Sequence, residues 1–522
     1  MPKRTLAIVL STALLLTAGC GPRSSTTPPA PQRQEPPAAQ TPGTAATTPL
    51  HLATEQAPPL EGANPSLRVA LAEHLGRSGQ PLALLSAGAA PLTLSAADGR
   101  RWRSPTLSIR WLTQPLDAVL RIDRQQLGPF ASFETAAAVA ERLRSTGLAP
   151  LVAHPRDWVL WLPAAAELPH GLKAERQTLE IRERLLPEPE GAVVTTETSD
   201  AAGSGASPPL QAPLRLEAPD GLLWQGHRYT GPFLLLPDAY GSWTLAEVLP
   251  LERYLEGVVP HEIGAAPAAA LAAQAVLARS WALANAHRYG VDGFHLCASV
   301  QCQVYRAPAA ATTAVRAAIA STAGQVLRWS GQPISAVYHA SNGGVAADFS
   351  EAWGGASRPY LQPFVDRLPT AEPLPLPRDG AALRRLLDGR DFVGAGHPRF
   401  RWSRRLSDGD LLAAAGAAGL VLSRVEALRV EARGPSGRAV VLAIEGPEGV
   451  VQLERDGIRR HLPMLPSTLF VLERDGAGSW RAQGGGSGHG AGLSQQGAIE
   501  LARRGFSAEE LLQRYYPGAE LH

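Results

Sequence analysis

The chain has 522 residues, enough for two or three domains with substantial cores. Charged residues make up 18% and the net charge is +2, so no electrostatic footprint for nucleic acid is present. With 51 Gly and 46 Pro, long irregular and linker segments are expected beside the folded parts.

Residues 1–20 read as an export signal. Lys3 and Arg4 precede a mostly apolar run, Leu6–Ala18, and small residues lead into Cys20. That run makes about 20 Å of helix against a bilayer core of about 30 Å, so it reads as a signal h-region, not a span. TAGC, ending at Cys20, resembles a lipobox, although Leu16 lies one position further from the cysteine than usual. The expectation is a lipid on Cys20, a membrane anchor, and a location in the cell envelope, in the periplasm or on the outer face of the membrane. Residues 21–64 are rich in Pro, Thr, Ala and Gln and read as a disordered tether.

Residues 65–117 begin with alternating apolar positions and read as short strands. A small module is expected over 118–187. Within it, Ala118–Pro163 reads as strand, helix, strand, the helix spanning Phe133–Thr146 with Ala136, Ala140 and Leu143 on one face. QLGPFASFETAAAVAERL (126–143) resembles half of a SPOR domain, a module that binds peptidoglycan glycan strands lacking stem peptides; a generic βαβ unit is the plain alternative. Residues 188–213, again rich in Pro, Ser, Gly and Thr, read as a linker.

Residues 214–522 read as one catalytic domain. Strands and hairpins lead to LERYLEGVVPHEIGAAPAAALAAQAVLARSWALANAHRYG (251–290). Pro260, Gly264 and Pro267 punctuate a loop, and the Ala-rich run from Ala268 predicts a helix up to Gly290. Glu262 then sits on a loop at a helix entrance. A carboxyl held there between apolar residues has its pKa raised and serves as a proton donor; a solvated loop glutamate is the plain alternative. Further on, Gln332–His339 reads as a strand and Leu406–Ala417 as a helix. Val425–Arg433 and Arg438–Glu445 read as a hairpin, with Val450–Leu453 and Thr468–Leu472 continuing its sheet. Ser494–Arg503 and Ala508–Tyr515 read as helices, the second capped by Ser507. The predicted class is α+β, with mixed strands and helices around a catalytic cleft and a small separate or inserted α/β module near the N-terminus.

Three segments, in this order, resemble the signature of the SpoIID/LytB family, the stage II sporulation protein D and amidase-enhancer proteins. They are PLERYLEGVVPHEI with AALAAQAVLARSWAL (250–263 and 269–283), YHASNGG (338–344) and GSGHGAGLSQQGA (486–498). The resemblance implies a peptidoglycan lytic transglycosylase acting on glycan strands without stem peptides, with Glu262 as the general acid/base that leaves 1,6-anhydro-MurNAc ends. A hydrolase normally needs a second carboxylate about 5–9 Å away. Glu252, Glu256, Asp348 and Glu351 lie near in sequence, but none matches a family catalytic position. The alternative reading is a non-catalytic peptidoglycan-binding protein that stimulates an N-acetylmuramoyl-L-alanine amidase. Substrate contacts are expected from Gln274 and Arg279 on the Ala-rich helix and from Ser341, Asn342 and Gly343 of the SNGG turn. His489, Ser494 and Gln495 of the glycine-rich segment complete that set. Trp353 and Tyr360 are aromatic rings that suit sugar faces or a core.

Both cysteines beyond residue 20 fall in FHLCASVQCQVY (294–305). In an oxidising envelope the pair reads as a disulfide. Some members of the resembling family carry zinc on a comparable pair, which implies Cys297, Cys302 and His339 as ligands, with His295 as the next histidine.

Overall fold

The computed structural model describes residues 49–191, 210, 212–476 and 478–522. The export signal with Cys20, most of the tether and most of the linker lie outside the described residues.

Two seven-stranded sheets dominate the first half. One runs, in order, Leu296–Cys297, Ser66–Leu75, Trp243–Pro250, Phe233–Pro237, Leu214–Glu217, Leu92–Ser95 and Arg101–Ser104. The early strand Ser66–Leu75 is therefore internal, antiparallel to the strand that runs straight into the helix carrying Glu262. Its alternation buries Leu67 and Val69 completely, as a half-buried strand requires.

The second sheet is built on a long ribbon in which Thr106–Phe130 pairs with Glu175–Pro189. Beyond it lies the helix Phe133–Ser145, whose N-cap Ser132 accepts from the Thr135 amide. Its inner face (Phe133, Ala136, Val139, Ala140 and Leu143) forms one cluster with Trp158, Leu160 and Leu162 of the neighbouring strand. Ala70, Tyr289, Phe294 and Cys297 of the other sheet and its loops belong to the same cluster. The sheet also takes in Leu82–Ser86, Leu222–Trp224 and His227–Tyr229, so this segment shares both sheet and core with the body.

Two helices position the site. Leu251–Glu262 stays helical through Pro260, where a loop was expected. The ring stands in the last turn, so only the Glu256 carbonyl loses its intrahelical donor. The second helix, Ala268–Asn285, starts after Pro267 as N-cap and ends at Asn285, not at Gly290. Asn285 turns its amide back to the Trp281 carbonyl at 2.8 Å and accepts from Arg288, which closes the helix early. The first helix packs tightly against the loop at Tyr305 and Arg306, since a Cβ on Gly257 would meet the Arg306 carbonyl at 2.2 Å.

Residues 401–485 hold two three-stranded sheets around their own core of Leu406, Leu411, Leu442, Ile444 and Phe470. Residues 401–407 are strand, and the helix begins only at Asp408 behind a Ser407–Asp410 capping box. Phe470–Arg474 pairs with Ser479–Gly485, not with the hairpin Ala427–Arg433/Ala439–Gly446, because apolar alternation marks a strand without naming its partner. Gln332–His339 is extended only at its ends, and Tyr338–His339 pairs in parallel with Leu493–Ser494. The architecture is α+β. Among the described residues, no helix is long and apolar enough to cross a membrane.

Candidate active site

Glu262 is the last residue of its helix and half-buried. The Val304 amide donates to its Oε1 at 2.5 Å, and the Tyr338 hydroxyl also bonds the carboxylate. Tyr338 in turn accepts from Gln303 Nε2 at 3.1 Å, and Gln303 Oε1 accepts from the Tyr254 hydroxyl at 3.1 Å. Gln495 Nε2 donates to the Glu262 carbonyl at 3.0 Å and fixes the helix end. Burial pushes the carboxyl up to about 6, against the lowering effect of the Val304 amide and the Tyr338 hydroxyl. Burial also drives the Tyr254 and Tyr338 hydroxyls well above their ordinary range, so both remain protonated donors.

The carboxyl opens on a cleft of about 580 Å³ lined by three stretches of chain. The body supplies Glu262, Trp281, Gln303, Val304, Tyr338, Trp353 and His489; the inserted module supplies Ser132 and Glu134. Asp456, Arg459 and Arg460 come from the third stretch. Glu134 is held by Arg288. Asp456 accepts from Thr135 Oγ1 at 3.0 Å on both oxygens, and burial raises its pKa. Arg460 pairs with Asp157 at 2.5 Å. Arg459 differs: its Nε is buried without a hydrogen-bond partner among the described residues, and burial lowers its pKa. His489 Nε2 donates to the Tyr338 carbonyl at 2.9 Å while Nδ1 accepts from the Ala491 amide at 3.2 Å. Burial takes its pKa down to about 3, so the ring is neutral and lies 4.6 Å from the Trp353 ring.

Of the residues expected to touch substrate or metal, Glu262, His489 and Cys302 line this cleft. The others support it from behind. Arg279 makes two 2.7 Å bonds to Glu252 and ties the two helices together. Gln274 is fully buried and accepts from Gln495 at 3.3 Å. Asn342 bonds Asp366 at 2.7 Å and the Gly344 amide at 2.9 Å; Ser341 bridges to Ser487 through backbone. Gly343, at φ 70, comes so close to Gly485 that a Cβ would lie 2.5 Å from its carbonyl carbon. Ser494 caps the helix Gln495–Arg503. Gly, Ser and Asn in a row serve a sugar-binding turn and a close backbone crossing equally well, and here they make the crossing.

The neighbouring carboxylates are engaged elsewhere and do not line the cleft. Glu252 is held by Arg279, Glu256 by Arg253, Asp348 caps Phe349–Trp353, and Glu351 accepts from the Ser436 amide at 2.8 Å. Tyr360 packs on Trp329, whereas Trp353 reaches the cleft.

The three zinc ligands implied by the family resemblance are not brought together. Cys297 and Cys302 form a disulfide, with Cα atoms 5.7 Å apart. His339 Nδ1 donates to the Ala491 carbonyl at 3.1 Å while its Nε2 is buried without a hydrogen-bond partner among the described residues, and both nitrogens of His295 bond backbone. Among the described residues, neither cysteine belongs to a converging set of three donors. Tyr338, Gln303 and the Val304 amide were missed. Tyr338 stands inside the quoted YHASNGG segment, but a backbone amide leaves no trace in a sequence.

Fold and cleft together define an α+β protein with the Glu262 carboxyl, its pKa raised by burial, facing an aromatic and polar groove. Residues 239–329 match the family described as stage II sporulation protein (SpoIID), and residues 347–492 match a domain of unknown function, DUF8618. The chain is 27% identical over 298 residues to stage II sporulation protein D of Bacillus amyloliquefaciens, covering 53% of this chain and 75% of the relative. It is 25% identical over 312 residues to an uncharacterized protein of Brachyspira hyodysenteriae, covering 58% and 75%. Through residues 239–329 the chain resembles the SpoIID family, which supports a function related to the cell wall or sporulation. Asp456, Arg459, Trp353 and His489 fall within the DUF8618 match, so the cleft combines residues of both matched regions with the inserted module.

Proposed function

We propose that the chain is a lytic transglycosylase acting on peptidoglycan glycan strands whose stem peptides have been removed. The observation that carries this is the Glu262 carboxyl: raised to about 6 by burial, held by Val304 and Tyr338, and open to a cleft. Protonated, it delivers its proton to the glycosidic oxygen as the C1–O bond breaks. As carboxylate, it then takes the proton of the same sugar's C6 hydroxyl, whose oxygen bonds to C1 and closes the 1,6-anhydro ring. One carboxyl performs both steps. A hydrolase needs a second one free to attack or to activate water. Glu134 and Asp456, the other cleft carboxyls, are engaged by Arg288 and Thr135.

Arg459 suits the substrate. Stripping a stem peptide leaves a free lactyl carboxylate on each muramoyl residue, and a desolvated guanidinium is a strong hydrogen-bond donor to that anion. An exported, lipid-anchored chain would meet such strands in the envelope. Incubating purified protein with denuded glycan, without any amidase, tests the reading: anhydro-ended fragments are expected. Glycan binding and amidase stimulation without any fragment would replace it by the amidase-enhancer role.

A further inference from the structure

Strand Ser66–Leu75 slips against its neighbour. Between the pairs Ala72–Leu245 and Leu75–Trp243 it carries one residue more than the opposite strand, a bulge that contains Glu73 and His74. His74 adopts φ 58, a left-handed conformation that a histidine keeps only where its surroundings fix it. His154, just after strand Leu151–Ala153 of the inserted module, meets the bulge. One nitrogen of each imidazole and one oxygen of Glu73 lie within 4.8 Å of one another, with His154 Nδ1 3.9 Å from Glu73 Oε2. The Nδ1 atoms of both histidines are buried and have no hydrogen-bond partner among the described residues. Buried polar atoms are rarely left so.

We propose that Glu73, His74 and His154 bind a divalent transition metal of the zinc class. Two imidazoles and a carboxylate are a common zinc donor set, and an ion there would give His154 Nδ1 the partner it lacks. Ligands about 2.0–2.2 Å from zinc stand roughly 3.5 Å apart, so small side-chain rotations close the set. The surroundings hold the rings in place. The His154 amide donates to the Tyr240 hydroxyl at 2.8 Å, and that hydroxyl donates to Asp292 at 2.9 Å. The His74 ring meets Tyr240 edge-on at 5.4 Å, and the His154 ring lies 4.5 Å from Trp158.

The competing partner of His74 Nδ1 is Asp238, whose Oδ2 lies 3.5 Å away. Asp238 already accepts from the Tyr240 and Ser242 amides and from the Ser242 hydroxyl, and such a pair leaves His154 unpartnered. None of the three proposed ligands lines the Glu262 cleft. The ion would fasten the inserted module to the sheet whose next strand feeds the catalytic helix.

The test titrates untagged, metal-stripped full chain with zinc chloride, followed by calorimetry and metal analysis. One zinc per chain is expected, with a higher Tm on loading. Affinity should fall at least about tenfold in His154→Asn and in Glu73→Gln, and stay unchanged in the double variant Cys297→Ser/Cys302→Ser. X-ray absorption on the zinc-loaded wild type, which needs no variant to fold, should read nitrogen and oxygen ligands without sulfur. No zinc binding, sulfur ligation, or binding indifferent to His154→Asn overturns the proposal.

Discussion

The backbone amide of Val304 donates to Glu262 Oε1 at 2.5 Å, across 42 residues of sequence. Tyr305, the next residue, stacks on Tyr254 of the Glu262 helix at 5.2 Å. The loop after the disulfide is thus pinned to the helix it serves, and it moderates the pKa that burial raises.

Glu262→Gln keeps an acceptor for that amide and removes the titrating proton. Glycan cleavage is expected to fall about 10²–10⁴-fold. Stability should move the other way. The folded-state pKa, about 6, lies above the ordinary value of 4.5, so between those values the native state holds more protons than the unfolded chain. Stability therefore falls as pH rises through this window, and the ionised group costs at most about 2 kcal/mol above it. Urea midpoints should show the variant more stable than wild type at about pH 8 and equal to it at about pH 4. Wild-type turnover, or equal midpoints at both values, would remove Glu262 from the mechanism.

For wild type, kcat/KM should decline as pH rises through about 6, where the acid loses its proton. Tyr338→Phe removes a hydrogen bond to the charged form, so the falling limb should move to higher pH. A move to lower pH would mean that Tyr338 does not stabilise the carboxylate.

Arg459→Gln is expected to raise KM for denuded glycan about tenfold, the effect of losing one hydrogen bond to a charged group. Glycan whose lactyl carboxyls have been reduced to alcohols should show no such change. Equal losses on both substrates would make Arg459 a structural residue.

The Cys297–Cys302 disulfide precedes Gln303 and Val304 directly. Native protein should therefore show no free thiol at either position. Replacing both cysteines by serine should lower turnover roughly tenfold or more through misplacement of the Val304 amide. Free thiols in protein kept from reductant would contradict the pairing.

How much of this was legible in the sequence depended on which group carried the role. Periodicity located the helix Phe133–Ser145 and the hairpin at Gly434–Gly437, because burial of one face governs both. Pro260 misled, since a proline in the last turn removes a single bond and breaks nothing. The three family segments meet around one cleft, lined by Glu262, Tyr338 and His489. Asn342, Gly343 and Ser494 build the support for it, and composition alone does not separate support from contact. Arg459 and Asp456 lie far along the chain and reach the cleft only through tertiary packing.

The inserted module gives the last prediction. A tethered glycan binder, which the SPOR resemblance implies, could lose Ala118–Pro163 with capture of denuded glycan weakened and turnover spared. The packing argues otherwise. Tyr289 is 1% exposed and lies 5.2 Å from Trp158, which the deletion removes, and Phe294 and Ala70 lose the same cover. Each large side chain so uncovered costs about 1.5–3 kcal/mol. Arg288, 2% exposed, loses Glu134 and the Phe133 ring 4.4 Å from its guanidinium. Stranding a buried charge costs about 3–5 kcal/mol, so the sum approaches the about 5–15 kcal/mol that holds a typical domain folded. The deletion variant is therefore expected to aggregate or to lose its cooperative melting transition. If instead it melts cooperatively and turns over short glycan at the wild-type rate, the contacts around Tyr289 and Arg288 are dispensable and the module is a tethered binder.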